Sequence, residues 1–115
     1  MKIVNALQVK ESEDVRKIHN TSAYPLHVNE HVMATMISLQ PGESLRRHAT
    51  PVDVFFYVLE GTGVVEIGDE RETVIADMLV ESPARIPHRL LNESDSVFRF
   101  LVVKTPRPNE KSKML

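Results

Sequence analysis

The sequence predicts an all-β protein built as a single domain, and three observations carry that prediction. Short runs rich in β-branched and aromatic residues recur at roughly ten-residue spacing through the second half of the chain, separated by glycine, proline, asparagine and aspartate. Two of these runs are joined by Gly68-Asp69, a two-residue loop of the kind that closes a hairpin. Helix signals are confined to one short window, residues 11–18. With 115 residues the chain is one compact domain, large enough to bury roughly two-thirds of its unfolded surface and too small for two. That cadence suggests a sandwich or a barrel.

Residues 1–30 read as N-terminal strands and loops. Within them residues 11–18 have Ser12 as an N-cap and acidic residues in a first turn, but the window could equally be a polar strand or loop. Residues 31–40 are mostly apolar and are stopped by Pro41-Gly42, as a buried strand ending in a turn should be. Residues 53–60 combine β-branched and aromatic side chains and are closed by Gly61 and Gly63. Alternation puts Val54, Phe56 and Val58 on one face of that strand and Phe55, Tyr57 and Leu59 on the other, so it is apolar on both sides. Residues 64–67 and 70–75 form the hairpin, whose charged tip (Glu66, Asp69, Glu70, Arg71, Glu72) reads as a solvated edge that discourages strand pairing. Residues 78–80, 86–91 and 97–103 supply further strands. The core is thus residues 31–104, and residues 105–115 read as a polar tail, because two prolines there cannot donate to a central ladder.

Charge and composition exclude several functions. Lysine plus arginine total 14 and aspartate plus glutamate 16, a net charge of −2, which leaves no basic excess for a nucleic-acid backbone. The longest apolar runs, such as residues 54–59, are far shorter than the roughly 20 residues that cross a bilayer, so no membrane partner is expected. The first residues lack the apolar core of a secretory signal, and a cytoplasmic location is expected. Without cysteine there is no disulfide and no thiolate metal site; a metal would need imidazole, carboxylate, hydroxyl, carbonyl or water. Five histidines are therefore the residues to weigh.

Residues 41–48, Pro-Gly-Glu-Ser-Leu-Arg-Arg-His, followed by residues 54–61, resemble the first motif of the cupin superfamily. That motif runs glycine, five residues, His-x-His, three or four residues, glutamate, six residues, glycine; Gly42, His48 and Gly61 fall at its spacing. Residues 83–92 resemble the end of the second motif, Pro-x-Gly-x-x-His-x-x-x-Asn, with Pro83, His88 and Asn92 matching. Together the two cover residues 41–92, with the hairpin between them. The resemblance implies a single-domain cupin jelly-roll β-barrel in which the motif histidines and glutamate bind one divalent metal: iron, manganese, nickel, copper or zinc.

The departures are as informative as the matches. Thr50 stands at the second histidine position and Val54 at the glutamate position, while Asp53, next door, points the other way on a regular strand. Any metal would rest on His48 and His88, with His31, His27 or nothing as a third ligand; His31 and His27 read first as surface or loop residues. The two imidazoles could equally be hydrogen-bonded inside a metal-free pocket. Arg85 replaces the motif glycine, and Ala76-Asp77 stands where the family has Gly-Asp, so the turn near residue 85 must tolerate a side chain or carry strain.

The implied pocket is apolar-walled, lined by Thr50, Val54, Phe56 and Val58 beside His48 and His88. Two functions follow. One is a cupin-barrel protein that binds a small organic ligand, with a divalent metal absent or weakly and unconventionally held. The alternative is a metal-dependent cupin enzyme, an oxygenase or isomerase of a small organic acid. A metal-free acid–base enzyme is weaker still, because no carboxylate stands ready to orient a histidine base; Glu60 and Glu81 would serve only if alternation breaks. Arg46 and Arg47 either face solvent or steer an anion toward His48, and His19 reads as a solvated residue. The second apolar face of residues 53–60 predicts a homodimer.

Overall fold

The computed structural model describes residues 1–12, 20–109 and 113–114. Among them the regular structure is all strand: β1 (Ser22–Val28), β2 (Met33–Leu39), β3 (His48–Ala49), β4 (Val54–Glu60), β5 (Thr62–Ile67), β6 (Glu70–Ile75), β7 (Leu79–Ser82), β8 (His88–Leu91), β9 (Phe98–Lys104) and β10 (Lys113–Met114). They form two five-stranded antiparallel sheets, ordered β1-β2-β9-β4-β7 and β10-β3-β8-β5-β6. The ladders do not join into one closed cylinder; the barrel expected from the sequence is the double-sheet form of a jelly roll.

Strand periodicity explains the core. In β9, Phe98, Phe100 and Val102 point between the sheets, and their register partners Leu39 and Ile37 on β2 and Val58 and Phe56 on β4 point the same way. Leu45, Val65, Val74 and Leu90 meet them from the other sheet's side. Phe100 packs edge-on to Phe56 with ring centroids 6.2 Å apart and tilted against Phe98 at 5.0 Å. The alternation of Val54, Phe56 and Val58 inward and Phe55, Tyr57 and Leu59 outward is as the sequence predicts.

The turns show why the motif glycines matter. Gly42 and Gly61 have φ of +85° and +86°, a region that side chains rarely adopt. Arg85, in place of the motif glycine, has φ of +66°, so the turn is a strained one; its N–H donates to the Thr50 carbonyl at 2.8 Å, which holds it there. Asp77 at φ +71° is tied down by its N–H to the Val58 carbonyl and by Tyr57 Oη, which donates to Asp77 Oδ1 at 2.9 Å.

Most of the helix window, residues 13–19, lies outside the described residues, as does His19. Strand pairing does not finish at Lys104, where the sequence suggests the fold ends: Lys113 and Met114 return as β10 and pair with Ala49 and His48. The exposed backbone edge of β3 supplies the hydrogen-bonding groups that recruit this segment, a non-local demand that the tail's own composition does not announce. None of the described residues forms a helix long and apolar enough to cross a membrane.

Candidate functional site

His48 on β3 and His88 on β8 are direct cross-strand partners, both buried, and their side chains point between the sheets. Their rings meet edge-on, with centroids 4.6 Å apart and the two Nε2 atoms 3.2 Å apart. The surrounding partners dictate who donates. His48 Nδ1 lies 2.8 Å from the Arg46 carbonyl, which only accepts, so that nitrogen carries the proton and His48 Nε2 carries a lone pair. His88 Nε2–H therefore donates to His48 Nε2, and His88 Nδ1 accepts from the Ser82 hydroxyl at 2.7 Å. The result is a one-way chain, Ser82 to His88 to His48 to the Arg46 carbonyl, in which both imidazoles are neutral.

Burial enforces that neutrality. It is the main cause lowering His48 from the ordinary histidine value; the Arg46 carbonyl pulls it partly back, and the Lys104 charge lowers it again. His88 is pushed down to about 3, first by burial, then by positive charge on His48 and Lys104. The pair can take up one shared proton far more readily than two.

The predicted pocket residues divide. Thr50 Oγ1 lies 3.4 Å from His88 Nε2, and the Phe56 ring stands edge-on to His88 with centroids 5.3 Å apart. Val54 is a register partner of Ser82, at the same end of the sheet. Val58 sits deeper along β4, opposite Phe100 and fully buried, and belongs to the core. His27 and His31 are surface residues, the reading their places in the sequence favour over a third-ligand role: His27 lies against Asn29 and His31 against Glu30. His27 sits in β1 just after the register shift that follows Pro25, paired with Ala34, and His31 lies in the turn before β2. Asp53 points away as expected, its Oδ1 accepting from the Ala84 N–H at 2.8 Å. Glu60 pairs with Arg99, and Glu81 lies exposed opposite Phe55 on the outer face, so neither orients a histidine. Arg47 is engaged on the hairpin through the Gly68 carbonyl, and Arg46 is exposed while its carbonyl serves His48. Asn92 is a structural anchor: its amide donates to the Leu39 and Ser96 carbonyls.

Sequence reasoning missed two participants. Ser82 and Lys104 are both register partners of Val54, so the row Ser82–Val54–Lys104 crosses the sheet with side chains on the same, inward face. The signal was available for Lys104: it continues the period-two stripe Phe98, Phe100, Val102 by one step.

A cleft of about 380 Å³ opens where β4 and β7 meet at this end of the sheet, lined by Val54, Ser82, Pro83 and Thr105 and, from the outer face, by Phe55, Leu79 and Glu81; neither imidazole nor Lys104 lines it. A neighbouring cleft of about 460 Å³ shares Glu81 and Pro83 and runs to the hairpin tip at Asp69 and Glu70. The space for a ligand is at the rim, since Phe56 and Val58 are consumed by core packing.

The family's metal can be tested against these residues. Two nitrogens 3.2 Å apart suit a shared cation, because bonds of about 2.0–2.1 Å place neighbouring ligands about 3 Å from one another. The rest of the set does not fit. No three histidine, cysteine, aspartate or glutamate side chains come together among the described residues, valine holds the carboxylate position, and the Lys104 charge repels a cation there. His48 and His88 alone are too few to hold a divalent metal tightly.

Fold and paired motif histidines define a jelly-roll protein of the double-stranded β-helix class, as in an uncharacterised Klebsiella pneumoniae protein (15% identity over 99% of this chain and 96% of that one, TM-score 0.81). The chain belongs to the cupin domain family, which matches residues 35–104, more than half its length. Among solved structures it is similar to the TT1209 protein of Thermus thermophilus, at 29% identity over 94% of this chain and 100% of that one, TM-score 0.79. It is also similar to the polyketide cyclase RemF of Streptomyces resistomycificus, at 24% identity over 100% of this chain and 85% of that one, TM-score 0.85, a likeness of fold. No curated protein matches it by sequence.

Proposed function

We propose that this cupin binds a small organic molecule in the rim cleft above the imidazole pair and does so without a tightly held divalent metal. The observation that supports this is one residue shared by cleft and pair: Ser82 lines the cleft, and its buried hydroxyl is hydrogen-bonded to His88, whose other nitrogen is satisfied by His48. A cleft of about 380 Å³ is within the roughly 300–1,000 Å³ of small-molecule sites, and its walls are largely apolar. Elemental analysis of untagged protein tests the reading, since a polyhistidine tag would itself bring metal. First-row metal well below one per chain is expected. A stoichiometric metal of micromolar or tighter affinity, lost in His48→Ala with the fold intact, would overturn it in favour of the second reading, a metal-dependent oxygenase or isomerase. The 3.2 Å spacing of the two Nε2 atoms is the observation that favours that alternative.

We also propose that the protein is a homodimer. The outer face of β4 and β9 carries Tyr57 and Leu101, both half-buried, beside the exposed Leu59, a surface outside the cleft suited to burial against a second copy. Light scattering at micromolar concentration should give twice the 13.1 kDa chain mass. A monomer at those concentrations would refute the dimer.

A further inference from the structure

The sheet β1-β2-β9-β4-β7 carries exposed apolar side chains at both of its edges. At the β1 edge is the arm that precedes that strand: Met1, Ile3, Val4 and Leu7 are all exposed, Ile3 at 82% and Leu7 at 78%. A turn shapes the arm, with the Leu7 N–H donating to Asn5 Oδ1 and the Gln8 N–H to the Asn5 carbonyl, both at 3.0 Å. The Ser12 N–H donates to the Ala23 carbonyl at 2.6 Å and fastens the arm to the outer edge of β1. At the β7 edge Leu59, Ile75 and Met78 are exposed together. The Met78 N–H donates to the Ile75 carbonyl at 3.2 Å, and the Val58 N–H, next to Leu59, donates to the Met78 carbonyl at 2.9 Å. None of these three residues lines either cleft.

Register puts the arm's fastening and the patch at one height along the strands. Ala23 pairs with Ile37, Ile37 with Phe100 and Phe100 with Val58, which meets Met78. Four strand spacings, about 19 Å, separate β1 from β7, so the arm of one copy is fastened a sheet's width from that copy's own patch. Between them on the outer face lies Leu101, the middle residue of the middle strand, flanked in register by Met36 and Tyr57. A two-fold axis running along β9 above Leu101 exchanges the β1 and β7 edges without changing height, which brings the arm of each copy to the patch of the other. Area argues for the same occupant. With strands of seven residues the face has a footprint of roughly 450 Å², below the ~800 Å² that each partner of a stable dimer buries, and a docked arm enlarges it. We infer that each copy seats Ile3 and Leu7 of its arm on Leu59, Ile75 and Met78 of a second copy, clasping a dimer formed through the outer face of this sheet. This inference rests on the homodimer reading, and names the surface and the orientation for it.

The absence of native cysteine makes the contact directly testable, because any introduced thiol is the only one in its chain. Leu7→Cys protein, mixed with Met78→Cys protein and given time to exchange subunits, should be joined by a short bis-maleimide into a covalent dimer. Leu7→Cys mixed with Asp69→Cys, at the hairpin tip of the other sheet, is the control and should cross-link weakly. Ile75→Cys repeats the measurement if the Met78 variant does not fold. Sedimentation equilibrium gives the second readout: Ile3→Asp with Leu7→Asp should raise the dimer dissociation constant by about tenfold or more, the size of two apolar side chains kept from burial. Cross-linking no stronger than the control, or a dissociation constant indifferent to the two aspartates, overturns the clasp and leaves the homodimer standing. A parent chain that is monomeric at micromolar concentration overturns both.

Discussion

Alanine at position 61 should abolish or nearly abolish folding, a loss of more than about 3 kcal/mol from the roughly 5–15 kcal/mol typical of a domain. Gly61 turns the chain from β4 in one sheet into β5 in the other, at φ +86°. An added Cβ would collide with the Val97 carbonyl oxygen and lie 3.2 Å from the Phe98 Cα. Both obstacles are backbone at the start of β9, the central strand that carries Phe98 and Phe100 into the core, so relief requires displacing that strand. Gly42→Ala is the control: φ is +85°, but nothing lies within 4 Å of the added carbon, so the cost should stay near the ~1–2 kcal/mol of the left-handed conformation alone. Urea denaturation followed by circular dichroism measures both. Equal midpoints for the two variants would refute the steric account.

Acid should destabilise the protein well before its carboxylates titrate. His88 falls from 6.5 to about 3 on folding, so between those values the unfolded chain binds a proton that the folded one refuses. The unfolded state then binds more protons, and stability must rise with pH across the window; it is fully present above about 6.5 and is lost progressively on acidification toward about 3. Each pH unit costs about 1.4 kcal/mol per such group, so moving from pH 7 to pH 5 should remove about 2 kcal/mol through His88 alone. His48 is shifted in the same direction and adds to the loss. In His88→Gln the slope between pH 5 and 7 should fall by about one proton. An unchanged slope would show that the imidazole protonates freely in the fold.

The features behind these outcomes differ in how legible they are in the chain alone. Alternation in residues 53–60 and 98–104 depends on the two-residue period of the strand itself, so the inward stripe was readable position by position, Lys104 included. Gly42 and Gly61 declared their turns because few other residues tolerate positive φ. His48 and His88 declared themselves by motif spacing, and they do meet. Ser82 was hidden, because its role comes from facing His88 across the space between the two sheets, which no local pattern encodes.

The sequence by itself thus determined the all-β class and the seven strand runs that became β2 and β4 to β9, since propensity, period and backbone freedom are local properties, while the imidazole pair was legible through the motif resemblance. Tertiary structure alone decided that residues 113–114 return to pair with β3, that Ser82 supports His88, and that the open space lies at the rim. Those outcomes depend on register and on the packing of one sheet against the other, where contacts join residues dozens of positions apart.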